Sequence, residues 1–558
     1  MIFLHFESEL KRCPKCKGVL TVRRTDDRTV KSVKYGIVQV THRIKKCDKD
    51  KSVYKSDALL DFVNPHCTYS NDIMVESGMR RFIHGRSSTE ISVELNNGIS
   101  DRHVRNLSNM AGEIFGRIHE ENVPKLKASL NPYILQIDGT TDSEFDMIIV
   151  IRDAVSDFTL YSEKYHSESF ASIKDILLKV KERFGTPSRS ISDMRAGILA
   201  ALAHVFPGIP IRICLMHFLR DLGKDILHDL HTSLGNEINN RRVKSPLKSI
   251  LRSMPEYNQD ILLEIEQGFS SDRECVETMA IRKILEPVLT VNGSSGYGFP
   301  FSLDHLNFYL SCKEAENKLD ILSCSIREEN SVKLINNAMK VIRRITKNDT
   351  ITEIAGKLSD VNMLFRKIRS AFNIPEKGGL SDGMNDDAFI REQCNIAIGE
   401  MEVYLNVNIP THMFTAAKHI VRKYHEREVM LFANNPEHPI PRTNNGMEIF
   451  FRKLNRNVRK RSGNVATRKI LARSGVTLAI FQNMDNPKYV EIVFGKKDIA
   501  SVFAKYRKPF KKSGMTKKKI LNLVDKATEM IVNNSLSDNA YNDELMDKAN
   551  LLRNSLKV

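Results

Sequence analysis

The run Tyr133-Ile134-Leu135-Gln136-Ile137 ends on Asp138-Gly139-Thr140-Thr141. A short apolar run bounded by Pro132 and a glycine is the pattern of a buried strand rather than a helix. A carboxylate at the carboxyl end of such a strand lies where open α/β sheets place their ligand sites. A turn aspartate looks the same in isolation, so the segments downstream must decide. Residues 145–151 and 158–161 read as two further strands, with Asp153 and Asp157 as turn residues between them. Residues 169–184 carry Ile173, Ile176, Leu177, Val180 and Phe184 on one helical face. Residues 190–192 form a fourth strand that ends on a second carboxylate, Asp193. A helix over 196–206 and a strand over 209–214 follow. The predicted order is βββαβαβ.

Charge narrows the class of partner. The chain of 558 residues carries a formal net charge of +17, which favours a polyanion, either nucleic acid or an acidic membrane surface. No apolar run reaches the roughly eighteen residues of a membrane span. The first residues lack the order of a signal peptide. Nine cysteines are scattered, an odd number that speaks against a secreted disulfide framework. The expectation from composition is an intracellular protein that binds a polyanion; with the family resemblance given below it becomes a DNA-associated protein with no membrane partner, in the nucleoid or cytoplasm of a prokaryote or the nucleus of a eukaryote.

The N-terminal third offers two modules. Cys13-Pro14-Lys15-Cys16, followed by Gly18, is a knuckle that lets two thiolates reach one tetrahedral Zn2+. Cys47 lies beyond a strand-like run over 34–44, and Asp50 stands where a second CxxC would have its partner. His42, His66 and Cys67 are nearby. Cys13, Cys16 and Cys47 are the candidate Zn2+ ligands, and the fourth is unassigned. Next, Ser87 or Ser88 caps a helix with Ile91 and Leu95 on one face, Gly98 breaks it, and Ser100 caps a second with Val104, Leu107 and Met110. Two capped helices around a glycine turn are the plan of a helix-turn-helix. Arg102, His103, Arg105 and Asn106 face outward on the second, with Arg80, Arg81 and Arg86 flanking; these types suit phosphates and base edges.

The order of elements and the two carboxylate positions resemble the ribonuclease H-like core of DDE transposases. Cys214-Leu215-Met216-His217-Phe218-Leu219-Arg220 resembles the CxxHxxR element that follows the second catalytic aspartate in Mutator-like transposases and their bacterial insertion-sequence relatives. Asn444-Asn445-Gly446-Met447-Glu448, with Arg452 and Lys453 after it, is similar to the family's approach to its third acid. The resemblance covers roughly 130–230 and 440–475. It implies a multidomain α+β protein whose mixed sheet is interrupted by a large all-helical insertion. It also implies that Asp138, Asp193 and Glu448 hold two Mg2+ or Mn2+ ions for strand cleavage at element ends and strand transfer into target DNA. The partners implied are double-stranded DNA and further copies of the chain assembled on it.

That chemistry suits the residue types, since two hard cations about 3.5–4 Å apart activate one oxygen and stabilise the other with a few carboxylate ligands. Asp142 and Asp146 read as a turn and a strand residue, and Cys214 with His217 as a packed pair rather than a metal site. The expected domains are a zinc-ribbon-like module over 1–70, helix-turn-helix over 71–128, core over 129–230, helical insertion over 231–440, core again over 441–485, and a basic helical tail over 486–558. The insertion carries stripes at Phe218, Leu222, Ile226, Leu230 and Leu234; at Ile335, Met339, Ile342 and Ile345; and at Ile354, Leu358, Val361, Phe365 and Ile368. Glu426 and Glu428 read as solvent-facing and Glu437 as a loop residue. Ile449, Phe450, Leu454 and Val458 are expected to face the sheet. Arg452, Arg456 and Lys460 form a basic stripe running from Glu448 that would hold DNA. In the tail, Phe503, Tyr506 and Phe510 interleave with Lys505, Arg507, Lys508 and later lysines as a phosphate-contacting arm. Two rivals remain: a decayed or domesticated copy that only binds DNA, and a structure-selective nuclease on the same core.

Overall fold

The protein was analysed as a computed structural model. It describes residues 2–95, 98–130, 132–141, 147–165, 167, 169–269, 272–290, 298–373, 387–433, 442–463, 467–506 and 521–526. The chain divides into two compact units, Met1–Ile211 with Asn444–Val558, and Arg212–Thr443. The helical unit thus begins at Arg212, earlier than residue 231.

The first unit opens on a small sheet of β1 (Ile2–Glu7), β2 (Leu20–Ser32), β3 (Gly36–Cys47) and β4 (Val53–Tyr54), in the order β1-β3-β2 with β4 also on β3. Val30, Val38 and Val40 close its core against Leu59 and Val63, at α1 (Asp57–Phe62). Then come α2 (Asn71–Gly78), a π-helical turn (Met79–Ile83), α3 (Ser88–Glu94), α4 (Asp101–Glu121) and α5 (Val123–Ser129). Ser87 and Glu90 form a reciprocal capping box on α3, and Ser100 accepts from the His103 amide at the start of α4; such caps contribute about 1 kcal/mol each. The second helix is far longer than a helix-turn-helix requires. Its stripe runs on through Ala111, Ile114, Phe115 and Ile118, all buried.

The larger sheet is built from β5 (Ile134–Thr141), β6 (Met147–Asp153), β7 (Thr159–Tyr165), α6 (Phe170–Phe184), β8 (Arg189–Ser192), α7 (Ala196–Val205) and β9 (Ile211–Ile213), in the predicted order. Its strands lie β7-β6-β5-β8-β9, with β5-β6-β7 antiparallel and β5-β8 parallel. The sequence reading ended β5 at Asp138. In fact the strand continues to Thr141, because Gly139, Thr140 and Thr141 pair with Ile149, Ile148 and Met147 of β6. Only the parallel ladder stops early, at Gln136 opposite Ile191.

The second unit, among the described residues, consists of α8 (Leu215–Asn240), α9 (Lys244–Ser253), α10 (Gln259–Glu266), α11 (Arg273–Thr290), α12 (Asp304–Ser323), α13 (Glu329–Thr346), α14 (Asp349–Ala371), α15 (Asp387–Leu405) and α16 (Thr411–Leu431). The apolar stripes largely pack inward: Ile335, Met339, Ile342 and Ile345 are all buried on α13. On α8 and α14 the register drifts, so that Leu227 and Ile351 are buried while Ile226 and Ile354 are only half-buried. Glu426 pairs with Arg422 and Glu428 with Arg391 on α16, at 3.1 and 2.6 Å. The fully buried Arg212 donates two bonds to Asp387, at 2.8 and 2.9 Å.

Within the first unit, the chain resumes with α17 (Asn445–Ser462), α18 (Arg468–Phe481), a 3-10 turn (Gln482–Asp485), α19 (Pro487–Phe494) and α20 (Ile499–Lys505). The last two helices are not a solvated tail. Tyr489, Val493, Phe494 and Phe503 join the core of α4 and the sheet, and Phe115 meets Phe481 at 5.2 Å and Tyr489 at 6.0 Å between ring centres. His119 is sealed among them, bonded to the Tyr489 hydroxyl at 2.7 Å and to the Leu160 carbonyl at 2.9 Å. Burial lowers its pKa, which keeps it neutral. Phe503 and Tyr506 therefore anchor the helix rather than interleave with a basic arm. Phe510 and the basic residues from Arg507 onward that complete that arm lie outside the described residues.

Asp387→Ala removes the carboxylate bonded to a fully buried guanidinium, a loss of about 3–5 kcal/mol. Hydrogen exchange of α8 and α15 amides should accelerate accordingly. A change within the range of an exposed pair, about 1 kcal/mol or less, would contradict this reading.

Candidate functional site

Extending the parallel register of β5 and β8 by two residues sets Asp193 opposite Asp138. Both side chains then project from the same end of neighbouring strands. The third acid comes from α17. Its N-cap, Asn444, is fully buried and donates from Nδ2 to the Ile137 carbonyl at 3.4 Å. One turn on, the Gly446 carbonyl accepts from Arg152 Nη1 at 3.1 Å. These bonds dock the start of α17 on β5 and β6, and Glu448 lies in that first turn.

Asp138 feels the charge of both other acids. Burial pushes the Asp138 carboxyl up to about 7; the Gly139 amide at 2.8 Å pulls the other way, Asp193 and Glu448 raise it further, and Arg195 opposes them. Asp193 is buried and held by Arg195, through Nε at 3.0 Å and the backbone amide at 3.2 Å. Arg195 was missed in the sequence; its signal there was only its place two residues beyond a candidate acid. The three carboxylates do not all approach within 4.8 Å, a closeness that one other set of ligand side chains among the described residues achieves. Their carboxylate oxygens are hard donors, the type that divalent cations such as Mg2+ take. Asp142 and Asp146 lie outside the described residues.

The closer set is Cys13, Cys16, Cys47 and Asp50, whose ligand atoms all lie within 4.8 Å of one another. Two turns of the same form make it. Lys17 N bonds to the Cys13 carbonyl at 2.9 Å and Lys51 N to the Cys47 carbonyl at 3.1 Å, with both lysines at positive φ. Asp50 thus occupies in the second turn the place Cys16 has in the first. Cys16 Sγ and Cys47 Sγ are 3.4 Å apart, and Cys13 Sγ lies 3.2 Å from Asp50 Oδ2. A Cβ at Gly18 would come within 3.2 and 3.3 Å of the Cys47 and Cys16 sulfurs, so the cradle closes only around glycine. The Ser52 amide and the Cys47 and Cys13 thiols hold the Asp50 carboxyl well below its ordinary range. Three thiols and a carboxylate gathered this closely are a donor set for Zn2+. Cys214 and His217, at the start of α8, belong to no such group among the described residues.

On α4, Arg102, Arg105 and Asn106 are exposed, and Arg105 pairs with Asp101 at 2.8 Å. His103 is not outward: its ring packs on Tyr69 at 4.7 Å. Arg80 and Arg86 are ion-paired with Glu94, at 3.0 and 3.4 Å, and do not add free charge to this face. On α17, Arg452, Arg456 and Lys460 are exposed, as is Arg459. The apolar side of that helix is Met447, Phe450, Phe451, Leu454 and Val458; Ile449 points to solvent, contrary to expectation. No helix among the described residues is long and apolar enough to cross a membrane.

No family model matches the chain, and no curated protein matches it. Among solved structures, a Drosophila P element transposase strand transfer complex is similar over 77% of this chain and 94% of that chain, with a TM-score of 0.29 and 9% identity. A likeness of that size carries no argument for fold or activity.

Two outcomes are expected of these sites. Co2+ added to the full chain should give the intense tetrahedral bands of a thiolate site, lost in Cys16→Ser, while Asp50→Ala weakens metal binding by at least about tenfold. Absence of such bands would remove the metal centre. Because the folded pKa of Asp138 is raised, its stabilising contribution is full below pH 4 and lost as pH rises through about 7. Asp138→Asn should therefore stabilise the metal-free chain at pH 8, by about 1–3 kcal/mol, with the gain fading toward pH 4. Equal gains at both pH values would contradict the buried, charge-coupled setting.

Proposed function

We propose that this chain is a DNA transposase of the DDE type: a ribonuclease H-like core interrupted by a helical insertion and preceded by DNA-binding modules. What supports the reading is that Asp138 and Asp193 follow neighbouring strands in register, while the first turn of α17, which carries Glu448, is fastened to β5 and β6. In this reading the three acids hold two Mg2+ or Mn2+ ions, which supply the Lewis acidity for phosphoryl transfer. Asp193 and Asp138 orient from the strands and Glu448 from the helix. Arg195 balances Asp193 until cations replace it. Arg102, Arg105 and Asn106 contact the DNA from α4, with His103 supporting them through Tyr69. Arg452, Arg456 and Lys460 hold the scissile strand along α17, and Zn2+ on Cys13, Cys16, Cys47 and Asp50 rigidifies the N-terminal sheet. The protein works on double-stranded element ends and target DNA, as a homo-oligomer.

A second reading has one observation in its favour. The ion pair of Arg195 with Asp193 occupies a carboxylate that catalysis needs, as in a chain that binds DNA without cutting it.

Metal-dependent cleavage separates the two. With DNA spanning the borders of the gene and Mg2+ or Mn2+, the wild-type chain should nick and join strands. Asp193→Asn and Glu448→Gln should each lose at least two to three orders of magnitude in rate, on the scale of a major electrostatic contribution, while DNA binding persists. DNA binding by the wild type without any metal-dependent cleavage would favour the second reading.

A further inference from the structure

Two arginines share one aromatic ring where α17 meets the turn before α3. Arg81, in the π-helical turn, lies 5.4 Å from the centre of the Phe82 ring, and Arg461, in the last turn of α17, lies 5.1 Å from it. Phe82 is buried and fixed edge-on against Phe481 at 5.3 Å. Arg81 Nη1 donates to the Arg105 carbonyl at 3.3 Å, Ser108 Oγ at 2.6 Å and Asn109 Oδ1 at 2.9 Å, all neutral acceptors. The acids of α3 and of the start of α4 have partners of their own: Asp101 pairs with Arg105, Glu94 with Arg80 and Arg86, and Glu90 with Arg86 and the Ser87 amide. Burial and Arg81 lower the pKa of Arg461 to about 9, burial and Arg105 lower that of Arg81 to about 10, and among the described residues no carboxylate opposes either shift.

The frame around the pair is rigid. Asn457 donates to the Ile83 carbonyl at 2.8 Å, and Gln482 to the Phe82 carbonyl at 3.2 Å. Gly85, at positive φ, lies so close that a Cβ there would meet Asn457 backbone at 3.1 Å. Partly desolvated cations without counter-charge are costly to hold together. A site that keeps two of them pre-set is built for an anion that arrives from outside, and planar guanidinium forks match phosphate oxygens in pairs.

We propose that Arg81 and Arg461 clamp one backbone phosphate of duplex DNA. Both helices that carry or contact the pair also bear exposed basic residues, Arg102 and Arg105 on α4 and Arg456, Arg459 and Lys460 on α17, which suits a polyanion and not a lone ion. Arg461 and Glu448 ride on one helix, about 20 Å apart along its axis, so a phosphate held at the clamp sets which bond reaches the acidic site. The inference rests on the transposase reading for the identity of the polyanion.

The test is anisotropy of labelled duplex DNA with the full-length chain over a range of salt. Arg81→Gln and Arg461→Gln should each weaken binding roughly tenfold near 0.1 M salt and reduce the salt slope by about one. Arg461→Lys should bind severalfold more weakly than wild type with its slope kept, since it retains the charge and loses the fork. Without DNA, Arg461→Gln should melt no lower than wild type, because removing an uncompensated charge offsets the lost ring contact. A lower melting point together with unchanged DNA binding by Arg461→Lys would make the pair structural and overturn the clamp. Wild-type slopes in both glutamine variants would overturn it too, leaving the transposase reading intact; failure of the wild type to bind DNA would sink that reading itself. Inorganic phosphate that raises the melting point of wild type but not of Arg461→Gln, with DNA slopes unchanged, would mark a free-anion site instead.

Discussion

The candidate site depends on how the first turn of α17 is fastened to the sheet. The turn that carries Glu448 is held on the sheet by the bond from Asn444 to the Ile137 carbonyl and the bond from Arg152 to the Gly446 carbonyl. Arg152 is itself buried, stacked on Phe450 at 4.9 Å and paired with Asp157 at 3.0 Å. One cation thus braces the helix start, the turn between β6 and β7, and an aromatic on the apolar side of α17. Weaken that brace and the helix can shift by the ångström or so that separates a working metal site from a loose one.

Gathering three acids at one sheet end sets up a tension that the surroundings only partly relieve. Asp138 carries most of it, since burial and two neighbouring carboxylates all favour its protonated form. Arg195 relieves Asp193, and the Gly139 amide relieves Asp138. Divalent cations would relieve all three at once, which is why an acidic cluster of this kind gains more from metal than from folding alone. The Cys13, Cys16, Cys47 and Asp50 group has a different logic: its donors are already drawn together by two matching turns, as in a structural centre.

Much of this was legible because strand and helix periodicity report burial directly. Asp138 and Asp193 stand out as carboxylates closing apolar runs, each two residues beyond the last paired residues of β5 and β8, Gln136 and Ile191. The true length of β5 was hidden, because Gly139-Thr140-Thr141 looks like a turn until β6 pairs with it. Asp50 was visible only as a gap in a cysteine pattern; a shared turn geometry, which spacing alone cannot reveal, makes it equivalent to Cys16. The packing of the C-terminal helices is obscured by the lysine-rich stretch that follows them, whereas Tyr489 and Phe503 decide how α19 and α20 pack. Arg195, Arg152 and Arg461 gave no signal, as their roles come from contacts across the fold.

The central claim is that Asp138, Asp193 and Glu448 form one divalent-metal site. Anomalous scattering from Mn2+ bound to crystals of the chain tests it most directly. The account predicts manganese peaks bridged by these three carboxylates, roughly 3.5–4 Å apart if two ions bind, with Arg195 displaced from Asp193. Manganese bound elsewhere, or no peak beside an ordered Asp138 with the Arg195–Asp193 pair intact, would contradict it.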